Sequence, residues 1–302
     1  MRQTTDHVLM VRPVRFSFNE ETAVNNAFQQ KPESSVSEQA VGEFDGYVAL
    51  LRQNGVRVDV LQDTPEPLTP DSIFPNNCFS THQDEEGRHT LVLYPMFAHN
   101  RRLEQDKLLR CIHPDEFNGV VDLRCYAEQG QFLEGTGSMV LDREEHIAYA
   151  CLSPRTDQTL LRKWAERMGY DVLSFESQDE HGTPVYHTNV MMHVGSRLAV
   201  VCLDSVYLPE ERARLVSTLE QSGKTIVEIS HTQMNHFAGN MLELHNARGE
   251  QLLVMSRTAL QSLTEQQVAL LEQDVRIVAP DIHTIERVGG GSARCMIAEL
   301  YI

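Results

Sequence analysis

Four segments of this chain put polar, chemically capable side chains where packing alone would favour apolar ones. They are Pro70-Asp71-Ser72-Ile73-Phe74-Pro75-Asn76-Asn77-Cys78, Phe132-Leu133-Glu134-Gly135-Thr136-Gly137, Tyr186-His187-Thr188-Asn189-Val190-Met191-Met192 and Val288-Gly289-Gly290-Gly291-Ser292-Ala293-Arg294-Cys295-Met296. A thiol, an imidazole and a carboxylate are the parts of a nucleophile, a proton carrier and the group that orients it. Taken singly, each has an ordinary explanation. Glu134 beside Gly135 reads as a turn residue, His187 as a satisfied structural histidine and Cys295 as an inert core thiol. The three glycines before Cys295 read as a tight turn.

The elements that would have to bring these segments together alternate between strand and helix. Strand-like patterns cover Val8–Val11, Val56–Leu61, Thr90–Tyr94, Val120–Leu123, Gly137–Leu141, Ile147–Cys151 and Val172–Phe175. Thr188–Val194 and Leu198–Cys202 read as an antiparallel pair, and strands follow at Ile226–Ile229, Met241–His245, Leu252–Met255, Val275–Val278 and Ala293–Ile302. Helical spacing covers Ser37–Asn54, Asn100–Cys111, Pro154–Met168, Pro209–Gln221 and Leu263–Gln273, with Gly55 and Gly169 as stop signals and Pro209 as a first-turn proline. No linker interrupts the series; the densest proline cluster, Pro65 to Pro70, is too short to separate domains. Groups of about 60 residues recur roughly five times, so one domain spanning 1–302 and built as a cyclic α/β repeat is expected. Periodicity alone does not separate this from an open α/β sheet.

The chain has 302 residues and a formal charge of −17, with 41% hydrophobic and 23% charged residues. Such a chain buries a sizeable core without disulfide staples. Its acidity repels phosphate backbones and argues against nucleic-acid binding. The cysteines at 78, 111, 125, 151, 202 and 295 form no CxxC pair, and there is no HExxH. His181, His187 and His193 recur every six residues, which on one strand puts neighbours ~20 Å apart, too far to share a metal ion. Arg12 and Arg15 interrupt any signal-peptide core, and no run of ~18 apolar residues is present, so neither export nor membrane insertion is expected. Free thiols fit a reducing cytoplasm.

Taken in order, the segments resemble the guanidine-modifying enzymes of the pentein superfamily, which includes arginine deiminase, dimethylargininase, agmatine deiminase and glycine amidinotransferase. Leu68–Asn77 resembles the Pro-Asp segment of dimethylargininase, and Leu133-Glu134-Gly135 the acidic-Gly-Gly motif. Cys151-Leu152-Ser153-Pro154-Arg155-Thr156-Asp157 resembles Gly-Leu-Ser-x-Arg-Thr-Asn, His187 the first residue of His-Leu-Asp, and the glycine-rich run to Cys295 the nucleophile motif. The resemblance implies a five-bladed ββαβ propeller with a central active site. It implies Cys295 as nucleophile, His187 as general acid and base, and Glu134 as the residue that orients and charges His187, with no metal and no organic cofactor. Arg294 and His187 are the cations that could favour a thiolate.

The resemblance also suggests a substrate. The relatives clamp a cationic guanidinium with aspartates at two positions that here read Asn77 and Asn189. A carboxylate facing a neutral ureido carbonyl would be an unpaired buried charge, whereas an asparagine amide supplies a donor and an acceptor. Citrulline is therefore the expected substrate, in the manner of the superfamily's citrulline hydrolase branch. Arg155 and Arg101 match carboxylate-binding arginines, Asp71 suits the α-amino group, and Asn240 resembles a recurrent family asparagine. The alternatives are an arginine deiminase, an amidinotransferase or a non-catalytic pentein-fold binding protein. The only partner expected is a small amino-acid substrate; the oligomeric state is left open.

Overall fold

The computed structural model describes residues 2–302 and contains five three-stranded sheets. The chain begins with β1 (His7–Arg12), the short helix α1 (Glu20–Ala23) and α2 (Ser37–Gln53), which returns it to β2 (Arg57–Gln62) parallel to β1. Four further units repeat one plan: an antiparallel pair, then a helical crossover to a parallel outer strand. The second has β3 (Phe79–Gln83), β4 (His89–Leu93), α3 (His99–Leu108) and β5 (Gly119–Asp122). The helical turn α4 (Gly135–Ser138) leads into the third, with β6 (Val140–Asp142), β7 (Ile147–Cys151), α5 (Gln158–Met168) and β8 (Asp171–Phe175). A similar turn, α6 (Thr188–Met191), opens the fourth, with β9 (Met192–Val194), β10 (Leu198–Val201), α7 (Pro209–Gln221) and β11 (Thr225–Glu228). After α8 (His231–Asn235), the fifth has β12 (Leu242–His245), β13 (Gln251–Val254), α9 (Arg257–Ser262), α10 (Glu265–Leu271) and β14 (Arg276–Val278). Finally α11 (His283–Gly289) precedes β15 (Ala298–Glu299), which pairs antiparallel with β1 and completes the first blade.

The result is the five-bladed propeller of the pentein fold. The blade order follows from short-range rules: hairpins join antiparallel neighbours, and parallel neighbours need a crossover with a helix. Apolar faces of the crossover helices cover the sheets; Phe44, Tyr47 and Leu51 of α2 and Leu160, Leu161 and Trp164 of α5 are all buried. The inner strands instead carry polar side chains. Glu299 pairs with Arg294 at 2.6 Å, Asp142 with Lys224 at 2.9 Å, and Gln3 Nε2 donates to the carbonyls of Leu141 and Val194.

Three of the expected strands are shorter than the sequence pattern suggests by two residues or more. Gly137–Leu141 and Thr188–Val194 each begin with a helical turn, and only Ala298–Glu299 of Ala293–Ile302 is strand. These departures are where the site is built. Gly135 has φ +47°, and a Cβ there would lie 2.5 Å from the Asn76 carbonyl oxygen. A Cβ on Gly137 would sit 2.8 Å from the His187 ring. Glycine thus lets backbone and catalytic segments touch. Strand β3, absent from the sequence reading, is polar but buried; Ser80 bonds His82 Nε2 at 2.7 Å and the Tyr94 hydroxyl at 2.6 Å. Helix α5 starts at Gln158 rather than Pro154, because Asp157 caps it by accepting from the Leu160 amide. Residues 153–156 form a turn that carries Arg155 inward.

Candidate active site

Glu134 immediately precedes α4, where its own backbone amide donates to Ser138 Oγ. Its carboxylate is fully buried. Oε1 accepts from the Phe97 amide at 2.8 Å, and Oε2 accepts from His187 Nε2 at 2.7 Å and from Arg155 Nη1 at 3.4 Å. Burial opposes ionisation, but Arg155, His187 and Arg101 outweigh it and hold the carboxyl well below the usual carboxylate range.

His187 immediately precedes α6, which Thr188 fixes by donating to the Ser138 carbonyl and accepting from the Cys151 amide. Burial, helped by Arg155 and Arg101, pulls the imidazole down to about 4 against the attraction of Glu134. An ionised Glu134 only accepts, so the neutral ring carries its proton on Nε2 and keeps Nδ1 free for proton exchange.

Cys295 is 5% exposed. Asn240 Nδ2 lies 3.2 Å and Asn189 Nδ2 3.6 Å from its Sγ. Asn240 also donates to the Asn189 carbonyl and accepts from the Arg294 amide through Oδ1, so one side chain clamps both segments. Two side-chain amides thus converge on the sulfur. The Arg294 guanidinium turns away, to Glu299 and the Ile297 carbonyl. This corrects its expected role beside the thiol; the cation is drawn to the buried carboxylate of β15.

Cys295, His187, Asp71, Asn77, Arg101 and Arg155 line one cavity with about 20 Å³ of free space, room for a single water. Asn189 lies behind the thiol, facing a second polar cavity of about 30 Å³. Its Oδ1 is buried and unpartnered, as is Asp71 Oδ1. Burial raises the Asp71 carboxyl despite Arg101, Asn19 and Thr22. Arg101 is fully engaged on one side: Nε and Nη2 meet Glu104 at 3.1 and 3.0 Å, and Nη2 also donates to the Phe74 carbonyl. Its Nη1 donates to Asn77 Oδ1 at 2.8 Å, leaving one Nη1 proton. Burial pushes Glu104 up to about 7 although Arg101 opposes the shift.

A strap that the sequence reading missed closes the cavity. Thr22 and Asn19 donate to Asp71 Oδ2 at 2.9 and 2.8 Å. Asn25 Oδ1 accepts from Arg155 Nε at 2.9 Å and also from Nη2, and the Thr22 carbonyl accepts from Nη2 at 2.9 Å. Asn26 and Gln29 donate to the carbonyls of Gly290 and Gly289. Donors therefore sit on the acid and acceptors on the guanidinium, the pattern an amino acid's ammonium and carboxylate would present. The available signal was the amide-rich run Asn19 to Gln30. Tyr186, also missed, packs against His187 with ring centroids 4.8 Å apart and planes tilted by 43°, and donates to the Gly290 carbonyl.

Of the residues named from sequence, His187 and Arg155 meet on Glu134, Asn189 and Asn240 meet at the Cys295 thiol, and Arg101 holds Asn77, whose amide reaches the Glu134 carbonyl. The three histidines lie in different settings: His181 in an exposed loop, His187 before α6 and His193 in β9. Among the described residues, no group of three or more His, Cys, Asp or Glu side chains is placed to hold a metal ion. No helix among them is long and apolar enough to cross a membrane.

Comparison with solved structures gives the same architecture. The N-terminal domain of ArgZ, an arginine dihydrolase from the ornithine-ammonia cycle in cyanobacteria, was solved as a cysteine-to-serine mutant bound to substrate. It is 18% identical, with 97% of each chain covered and a TM-score of 0.75. AgrE in binary complex with L-arginine is 17% identical over 97% of this chain and 40% of that one, with a TM-score of 0.75. A dimethylarginine dimethylaminohydrolase adduct with 4-chloro-2-hydroxymethylpyridine is 17% identical, covering 97% of this chain and 99% of that one, with a TM-score of 0.66. No curated protein matches the sequence. The family model described as N,N dimethylarginine dimethylhydrolase, eukaryotic, matches residues 12–302. With nearly its whole length matched, and with the pentein propeller as its fold, the chain belongs to the N,N dimethylarginine dimethylhydrolase family.

Proposed function

We propose that the protein is a cysteine hydrolase that converts citrulline to ornithine, carbon dioxide and ammonia. Cys295 gives its proton to His187 Nδ1, its thiolate attacks the ureido carbon, and the carbonyl oxygen takes the electron pair. When the adduct collapses, the bond to the side-chain nitrogen breaks, His187 supplies the proton, and ornithine leaves. Water, deprotonated by His187, attacks the resulting S-carbamoyl group and frees the thiol. The carbamic acid released decomposes to carbon dioxide and ammonia. Glu134 holds the His187 ring, and Arg155 and Asp71 exchange the strap's polar groups for the substrate's carboxylate and ammonium.

The observation that carries this reading is the 2.8 Å bond from Arg101 Nη1 to Asn77 Oδ1. A guanidinium only donates, so it fixes the Asn77 oxygen toward Arg101; the amide NH₂ spends one proton on the Glu134 carbonyl at 3.4 Å and keeps the other. A donor suits a ureido oxygen and opposes a guanidinium, which has nothing to accept with.

Arginine is the second reading, supported by ArgZ, an arginine dihydrolase. Two successive hydrolyses at one thiol would carry arginine through citrulline to ornithine. Dimethylarginine, named in the family description, is the third. The test is product analysis with each pure compound. Citrulline is expected to give ornithine and ammonia in equal amounts, with arginine and dimethylarginine poor. Consumption of either guanidino compound without turnover of citrulline overturns the reading.

Asn77→Asp extends the test. The new carboxylate would pair with Arg101 and leave no donor for the ureido oxygen. Removing one such donor typically costs ~100- to 1,000-fold in turnover. The expected result is a loss of that size in kcat with citrulline.

A further inference from the structure

Beyond the catalytic cavity, a cleft of about 650 Å³ lies on the other side of the strap. Asn25, Ala27, Phe28 and Gln30 form one wall. The other walls are the segments that lead directly into the site: 179–186 before His187, 234–237 before Asn240, and His283 to Arg287 before the glycine run. The strap is thus the partition between a cavity that holds one water and a cleft with ample room. Admitting an amino acid to the cavity requires the strap to move, and the cleft is the space beside it.

The lining of the cleft is chemically one-sided. Its acids are already satisfied: Glu286 accepts from Ser292 and Thr258, and Asp179 from the amides of His181 and Thr183. Its cation is not. The exposed Arg287 guanidinium has no hydrogen-bond or ion-pair partner among the described residues, and His283 lies one turn earlier on the same helix. The apolar side is an aromatic pair, Phe28 and Phe237, with centroids 5.3 Å apart. Phe237 is held at φ +64°, a left-handed conformation that a bulky residue adopts only under constraint.

We propose that this cleft is a second ligand site for a small monoanion with an apolar ring or chain. The anionic group bonds Arg287 and His283, and the apolar body packs on Phe28 and Phe237. A ligand there fills the room beside the strap and keeps the catalytic cavity shut, so the site is inhibitory. The inference does not depend on which substrate the enzyme hydrolyses.

The probe is 3-phenylpropionate, and the readout is the rate at which iodoacetamide alkylates Cys295 in the intact protein. Binding is followed in parallel by ligand-observed NMR. Saturating probe is expected to slow alkylation about 10-fold, and Arg287→Ala to weaken binding by about 10-fold or more, the value of a charge-assisted hydrogen bond. Arg287→Ala alone leaves the alkylation rate without probe unchanged. Equal protection in wild type and Arg287→Ala would place the probe in the catalytic cavity and overturn the proposal. So would faster alkylation with probe present, or no binding up to the probe's solubility limit.

Discussion

Cys295→Ser is expected to abolish turnover, with a loss of ~10,000-fold or more, while leaving the fold intact. Serine nearly matches cysteine in volume, and its oxygen can accept the same Asn240 and Asn189 amide hydrogens that now meet Sγ at 3.2 and 3.6 Å. What it lacks is an accessible anion near neutral pH. The measurement is citrulline turnover beside a circular-dichroism melt. Labelling provides an independent check. Among six free cysteines, Cys111 and Cys125 are exposed and Cys295 is buried, so bulky thiol reagents will reach the exposed pair first. Substrate-dependent protection, rather than order of labelling, therefore identifies the nucleophile. Activity retained in Cys295→Ser would end the covalent mechanism.

His187→Ala is expected to cost ~100- to 10,000-fold, because the imidazole moves protons in both half-reactions. Glu134→Gln should be milder but carries a distinct signature. Burial and the two arginines already hold His187 down at about 4, and Glu134 is the group that opposes them. Removing that charge lowers the imidazole further. The ring then gives up its proton at lower pH and is protonated in a smaller fraction of molecules at neutrality, and the limb of the kcat profile that reports its titration moves to lower pH. A merely structural role for Glu134 would reduce activity without moving that limb. Wild-type rates in His187→Ala would overturn the proton-transfer scheme.

Repetition made the architecture legible. The helices covering α2, α3, α5 and α7 and most middle and outer strands follow from apolar spacing and stop signals, which are local properties. Strand β3 escaped because Ser80, Thr81 and His82 are buried by bonding to one another and to Tyr94, which hydropathy does not register. Helix α11 escaped for a similar reason, with Glu286 buried at its centre on Ser292 and Thr258. At the site, residue types marked out Glu134, His187 and Cys295, and the family resemblance added Asn240. Their partners did not show, because contacts such as Arg101 to Asn77 and Asn25 to Arg155 join segments 24 and 130 residues apart. Arg294 shows the limit of adjacency: next to the thiol in sequence, it reaches the other way to Glu299.

Strand β15 has only two paired residues, Ala298 and Glu299, and it begins three residues after Cys295. Its neighbourhood is fastened by a few long-range bonds, from Leu300 to His7, from Thr5 to Leu300 and from the Tyr301 hydroxyl to the Gln3 carbonyl. This clasp is the smallest joint in the ring, and it is also the backbone that aims the thiol. Small joints open at lower free energy than whole domains. As denaturant rises, activity should therefore disappear before the other four blades lose their amide protection, so that catalytic competence itself reports whether the ring is fastened.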